Sequence, residues 1–188
     1  MNELKPVRLF VAADVPETHL AWLERKTIPL REHYRGGRWA PIANQHVTLK
    51  FLGSTPLDRL EDVVKVCATV AQTHEASPVA LAGLGSFPST RRMRVLWAGL
   101  IDDRELLKKL AADMEQAFEP LGFKAEAREF TPHLTVARFR SPVRLNEPLP
   151  DVGLKELPAW PVDRIRLYRS HLSPKGARYE VLEELELR

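Results

Sequence analysis

Cysteine occurs once in this chain of 188 residues, at Cys67, so no internal disulfide can form. Cys67 sits in the apolar, helically spaced stretch Val63-Val64-Lys65-Val66-Cys67, where a free thiol is expected to pack rather than react. Long hydrophobic runs are missing as well: none approaches the ~20 residues that cross a bilayer. Met1-Asn2-Glu3-Leu4-Lys5 does not begin like a signal peptide. A reduced, cytosolic setting with no membrane partner is the expectation. Charge of one sign is not in strong excess either. Lys and Arg number 28 against 25 Asp and Glu, leaving a formal +3 and a pI of about 9.1, which permits an anionic partner without requiring one.

What the chain does have is a short phrase said twice. The first copy is His46-Val47-Thr48-Leu49, followed by Lys50-Phe51-Leu52-Gly53; the second is His133-Leu134-Thr135-Val136, followed by Ala137-Arg138-Phe139. In extended backbone, alternate side chains share a face. Each copy therefore puts its His and Thr on one side and its apolar residues on the other, as suits a half-covered sheet beside a polar cleft. Two such strands facing each other would surround one small volume with two imidazoles and two hydroxyls.

The remaining pattern predicts a strand over Val7 to Ala13 and a helix opening at Pro16-Glu17-Thr18, with Asp14 as its cap. A loop is expected over Tyr34 to Arg38, and a turn at Gly53-Ser54-Thr55-Pro56 closes the first motif strand. Helical spacing marks residues from about Pro56 to Ala76 and from about Asp103 to Leu121, the second ended by Pro120 and Gly122. Strands are expected at Val79 to Leu84 and Met93 to Leu100. A proline-rich connection with a short edge strand follows at Ser141 to Pro161, and a last hairpin pairs Val162 to Ser170 with Tyr179 to Leu187 across Ser173-Pro174-Lys175-Gly176. Helices between antiparallel-looking strands indicate an α+β fold, as one domain or two small lobes sharing a core.

The chemistry narrows by what the histidines lack. No Asp, Glu or Cys stands at ligand spacing beside them, which is thin for zinc, and threonine is a poor ligand. No nucleophile elbow is present. Phosphoryl chemistry fits best: imidazole takes or gives a proton near neutral pH, and Thr hydroxyls donate to phosphate oxygens without adding charge. His19, His33 and His74 lie in polar helical or loop surroundings and read as structural.

The chain resembles the two-histidine phosphoesterases, and within them the bacterial and archaeal RNA 2',3'-cyclic phosphodiesterases (2'-5' RNA ligase-like proteins). The resemblance rests on Arg8-Leu9-Phe10, the segments Asn44 to Gly53, Arg94 to Gly99 and Phe130 to Arg138, and Tyr168-Arg169-Ser170 with Arg178-Tyr179. It implies one bilobal α+β domain over residues 1–188, with two antiparallel sheets, helices on the outer faces and a pseudo-two-fold central cleft. It also implies hydrolysis of a terminal 2',3'-cyclic phosphate to a 2'-phosphomonoester without metal or other cofactor, on RNA ends or cyclic nucleotides; a monomer is the expectation. By the same resemblance His46 is the general acid, His133 the general base, and Thr48 and Thr135 hold the non-bridging oxygens. Two rivals share the site: 2'-5' RNA ligation, and a non-catalytic RNA- or nucleotide-binding module.

Strand parity adds further candidates. Phe10 lies opposite Val7, Leu9 and Val11, where it could stack a base or fill a lobe interface; Tyr168 could also reach the cleft. The same parity puts Arg138 on the Leu134 and Val136 face, away from the cleft. His171 ends a strand beside a turn and has no firm reading.

Overall fold

An apolar heptapeptide with a single charge forms β1 (Val7–Ala13), and all of it except Arg8 is buried. There follow α1 (Glu17–His33), β2 (Gly37–Trp39), the first motif strand β3 (Val47–Thr55) and α2 (Leu60–Ala71). Next come β4 (Ser77–Phe87), β5 (Met93–Ile101), α3 (Leu106–Phe118) and the second motif strand β6 (His133–Val143). The short β7 (Trp160–Val162) leads to a closing hairpin of β8 (Arg164–Ser173) and β9 (Gly176–Glu186). The computed structural model describes residues 5–174 and 176–188. Residues 1–4, part of the segment tested for a leader, and Lys175, in the expected Ser173 to Gly176 turn, lie outside the described residues.

Two antiparallel sheets result, ordered β3-β1-β8-β9 and β2-β6-β5-β4-β7. With β2 set aside, each sheet has four strands and the first two correspond. The motif strand stands first, and its neighbour is joined to it through a helix: β1 through α1 to β3, β5 through α3 to β6. That is the expected pseudo-two-fold arrangement, broken where β2 pairs with the outer side of β6.

The helices interlock the halves. α1 follows β1 of the first sheet and runs into β2 at the edge of the second, and it also reaches the segment leading to β7: Trp22 Nε1 donates to the Gly153 carbonyl at 3.3 Å, and His19 Nε2 lies 2.9 Å from the Pro158 carbonyl. α3 joins two strands of the second sheet and packs on α2, while its Glu115 pairs with Lys50 of β3 at 2.5 Å. One continuous apolar cluster accordingly draws from both sheets. Cys67 belongs to it, fully buried, with its thiol pushed up to about 12 by that burial.

Several local expectations need correction. Asp14 does not cap α1; Pro16 stands at that position without a side-chain bond, and Asp14 instead accepts from Tyr168 Oη and pairs with Arg166. The Tyr34 to Arg38 loop ends in β2, which pairs Gly37, Arg38 and Trp39 with β6. Gly53 does not end its strand. It sits at φ +71° beside a register slip, a conformation that suits glycine, and pairing resumes through Thr55. α3 starts later than its periodicity suggests, because the Asp102 carboxylate accepts from the Leu106 and Leu107 N–H groups at 2.9 and 2.8 Å.

Candidate active site

Both motif strands carry the same irregularity. Pairing of β3 with β1 passes from Thr48↔Ala12 to Lys50↔Val11, so Leu49 is an extra residue. Pairing of β6 with β5 passes from Thr135↔Trp97 to Ala137↔Leu96, so Val136 is extra. Each strand bulges at the fourth residue of its motif, and a bulge reverses which side chains face which way. Before the bulge, His and Thr face the cleft; after it the fifth residue, Lys50 or Ala137, is buried, and the sixth, Phe51 or Arg138, is exposed.

Arg138 is therefore not on the Leu134 and Val136 face, as simple alternation has it. Its guanidinium donates to Thr135 Oγ1 at 3.4 Å, and its charge is felt at both catalytic-candidate imidazoles. Alternation fails here because it assumes an unbroken ladder. Two buried small or branched residues in succession, Val136 and Ala137, are the only trace that the bulge leaves in the sequence.

Each imidazole is walled by aromatic rings. Around His46 stand Phe10 at 4.7 Å between centroids, Tyr179 at 5.2 Å and Tyr168 at 5.8 Å. Around His133 stand Phe87 at 5.0 Å and Trp97 at 6.1 Å. Trp97 lies against Gly85 so closely that a Cβ there would come within 2.2 Å of the indole. Glycine thus lets the ring lie flat on the sheet below the histidine. Tyr179, Phe87 and Trp97 escaped the strand reading because each looks like ordinary sheet packing until its neighbour is known.

The walls explain the electrostatics. Burial lowers His46 to about 4, with Arg138 and His133 adding repulsion and the Asn44 backbone carbonyl opposing them. His133 is also lowered, first by burial and then by Arg138, while its bond to the Thr131 carbonyl opposes the shift. His133 Nδ1 donates to that carbonyl at 2.7 Å, which leaves Nε2 as the ring nitrogen free for chemistry. The Asn44 carbonyl that favours a charged His46 has the same offset, two residues back, as Thr131 has from His133. Asn44 is itself fixed, its Nδ2 donating to the Ala177 carbonyl at 2.8 Å.

Phe10, expected to stack a base, is 3% exposed. His46, Tyr168, Tyr179 and Phe51 lie at 4.7, 5.0, 4.9 and 6.0 Å from its ring. No face is open to a base, so that expectation is corrected: Phe10 is the packed floor beneath His46. Tyr168 stands in the cleft wall with its hydroxyl donating to Asp14 at 2.5 Å; burial and that carboxylate push its pKa up to about 12. The aromatic with an open face is Phe51, 65% exposed.

The other histidines lie elsewhere. His19 is buried against Trp160, His74 pairs with Asp113 at 2.9 Å, and His171 pairs with Glu180 at 2.6 Å on the face of β8 opposite Tyr168. Among the described residues, no group of three His, Cys, Asp or Glu side chains is arranged to hold a metal ion. No described helix is long and apolar enough to cross a membrane.

Comparison with known proteins shows the family and the fold. An RNA 2',3'-cyclic phosphodiesterase of Thermus thermophilus is 33% identical over 188 residues, covering 97% of this chain and 91% of its own. One from Methanocaldococcus jannaschii is 27% identical, covering 95% and 99%. A crystal structure from Thermus thermophilus superposes with a TM-score of 0.80 at 32% identity, over 96% of this chain and 98% of that one. Escherichia coli LigT bound to 3'-AMP shares the fold, with a TM-score of 0.79 at 24% identity over 97% and 99%. The model of the 2'-5' RNA ligase superfamily matches residues 15–174. With its paired His-Thr strands on two matching antiparallel sheets, the chain belongs to the 2'-5' RNA ligase superfamily of two-histidine phosphoesterases.

Proposed function

We propose that this protein hydrolyses the 2',3'-cyclic phosphate at an RNA terminus to a 2'-phosphomonoester, using His46 and His133 as the acid–base pair. The observation that carries the reading is the matched pair of imidazoles. Both begin or precede matching bulged strands and are walled by aromatic rings, the His133 ring is oriented by the Thr131 carbonyl, and charge on His133 opposes charge on His46. Binding alone has no need of two titrating groups so arranged.

His133 Nε2 takes a proton from water as its oxygen bonds to phosphorus; the bond from phosphorus to O3' breaks; His46 gives its proton to O3'. Each proton transfer typically contributes ~10²–10⁴-fold. Thr48 and Thr135 donate to the non-bridging oxygens, and Arg138 offsets their charge. In the free protein His46 is the more strongly lowered imidazole, so it reaches neutral pH without a proton. A bound phosphate reverses this, because attraction to its negative charge offsets the burial cost of the imidazolium and the smaller repulsion from Arg138. The substrate thereby charges its own acid.

Phe51 supplies the base platform. Its centroid is 6.0 Å from Phe10, which lies 4.7 Å from His46, so platform and acid are within about 11 Å, the span of one nucleoside. Curated relatives carrying the name RNA 2',3'-cyclic phosphodiesterase support the substrate class. The test is turnover of uridine 2',3'-cyclic monophosphate with the product resolved by phosphorus NMR. Conversion to the 2'-phosphate supports the reading; binding without turnover, or release of the 3'-phosphate, overturns it.

A further inference from the structure

Past the catalytic cleft, β6 continues outward, and its open face carries arginines. Arg138 and Arg140 alternate with buried Phe139, so both project from that face. Arg38 of β2 is the direct cross-strand partner of Arg138. All three side chains are exposed. Among the described residues, the ion pairs involve other arginines, such as Arg59, Arg128, Arg164, Arg166 and Arg188, and none of these three. Like charges directly opposite each other on a sheet are destabilising, and β2 is the one strand with no counterpart in the other half. The strand that breaks the pseudo-symmetry thus adds an unneutralised charge beside Arg138, on the path leading away from the histidines.

We propose that Arg38 and Arg140 form, with Arg138, a track for the phosphodiester backbone upstream of the cyclic end, so that the preferred substrate is an oligoribonucleotide rather than a mononucleotide. This rests on the cyclic phosphodiesterase reading above. Arg138 and Arg140 are about 7 Å apart along the strand, roughly one nucleotide step of an extended single strand. Arg138 holds the terminal phosphate group; Arg140 and Arg38 meet the next ones. The contacts are to phosphates, so they position any sequence and read none.

The test compares uridine 2',3'-cyclic monophosphate with oligouridylates of increasing length that end in the same cyclic phosphate. In the natural protein kcat/KM should rise about tenfold or more from mononucleotide to trinucleotide through KM, then level. Arg38→Ala with Arg140→Ala should erase that gain and leave mononucleotide turnover unchanged; Arg38→Lys with Arg140→Lys should restore most of it. Binding of oligomers ending in a 2'-phosphate needs no turnover and reads the track independently of the reaction. Its log K against log salt slope should shrink by about 1.4 in the double alanine variant, ~0.7 per phosphate contact. A natural protein indifferent to length, or an alanine variant that keeps the gain and the slope, overturns the track. Failure to turn over any cyclic substrate overturns the functional reading instead, and the binding slopes still decide the track.

Discussion

Sulfate binding isolates the proton coupling on which the mechanism depends. Sulfate does not titrate near neutrality, so any pH dependence of its binding belongs to the protein. In the free protein His46 titrates at about 4, because burial, Arg138 and His133 all disfavour the imidazolium. An anion among these groups removes the repulsion and offsets the larger burial cost by its attraction for the imidazolium; full compensation returns the ring to its ordinary value of ~6.5, a change worth ~3 kcal/mol. The sign follows from linkage: the complex binds the extra proton, so affinity rises as pH falls from above 6.5 toward 4. With those two values, sulfate should bind about twentyfold more tightly at pH 5 than at pH 7, with close to one proton taken up per sulfate near pH 5. His133, also lowered, can only add to this. Calorimetry in buffers of different ionisation enthalpy reads the protons directly. His46→Ala should remove most of the uptake. Affinity that is flat from pH 7 to 5, or binding without proton uptake, would refute the claim that substrate charges the acid.

The buried pair between Lys50, 3% exposed, and Glu115 should be costly to break. Lys50→Met should lower stability by about 3 kcal/mol in chemical denaturation, and Lys50→Met with Glu115→Leu should recover most of it; equal losses in both would place the effect outside the pair. Phe10 and Phe51 should separate cleanly. Phe10→Ala should cost about 3–5 kcal/mol as a core truncation without raising KM in the folded fraction, while Phe51→Ala should keep its melting temperature and raise KM about tenfold, within the ~1–3 kcal/mol of a stacked base. The reverse pattern would exchange their roles. Turnover should also survive a strong chelator, and loss that a divalent ion restores would contradict the metal-free scheme.

Much of this was legible because strand periodicity is a local property. Val7–Ala13 became β1 with the bounds read from its apolar run, and both His-Thr pairs lie at matching positions of matching sheets. What escaped was set by register. The bulges at Leu49 and Val136 exist only in relation to β1 and β5, so no count along one strand could move Arg138 and Phe51 into the open or Lys50 into the core. Asp14 looked like a helix cap because its neighbours are helical; its actual partners, Tyr168 and Arg166, are distant in sequence. Strand parity puts Phe10 on the cleft side with stacking and packing both open, and packing holds because Tyr168 and Tyr179 arrive from the last hairpin to cover it.

The division of labour between the two imidazoles is the central claim, and the free protein alone would not suggest it, since its more depressed histidine is the proposed acid. A substrate whose leaving group departs without a proton, such as a p-nitrophenyl phosphodiester, makes the acid dispensable and leaves the base necessary. On the natural cyclic linkage, His46→Ala and His133→Ala should each lose several orders of magnitude, with little further loss when combined. On the activated diester, His46→Ala should recover most of the natural protein's rate and His133→Ala should stay inactive. Recovery by His133→Ala alone would exchange acid and base, and full activity of either variant on the natural linkage would contradict the two-histidine mechanism.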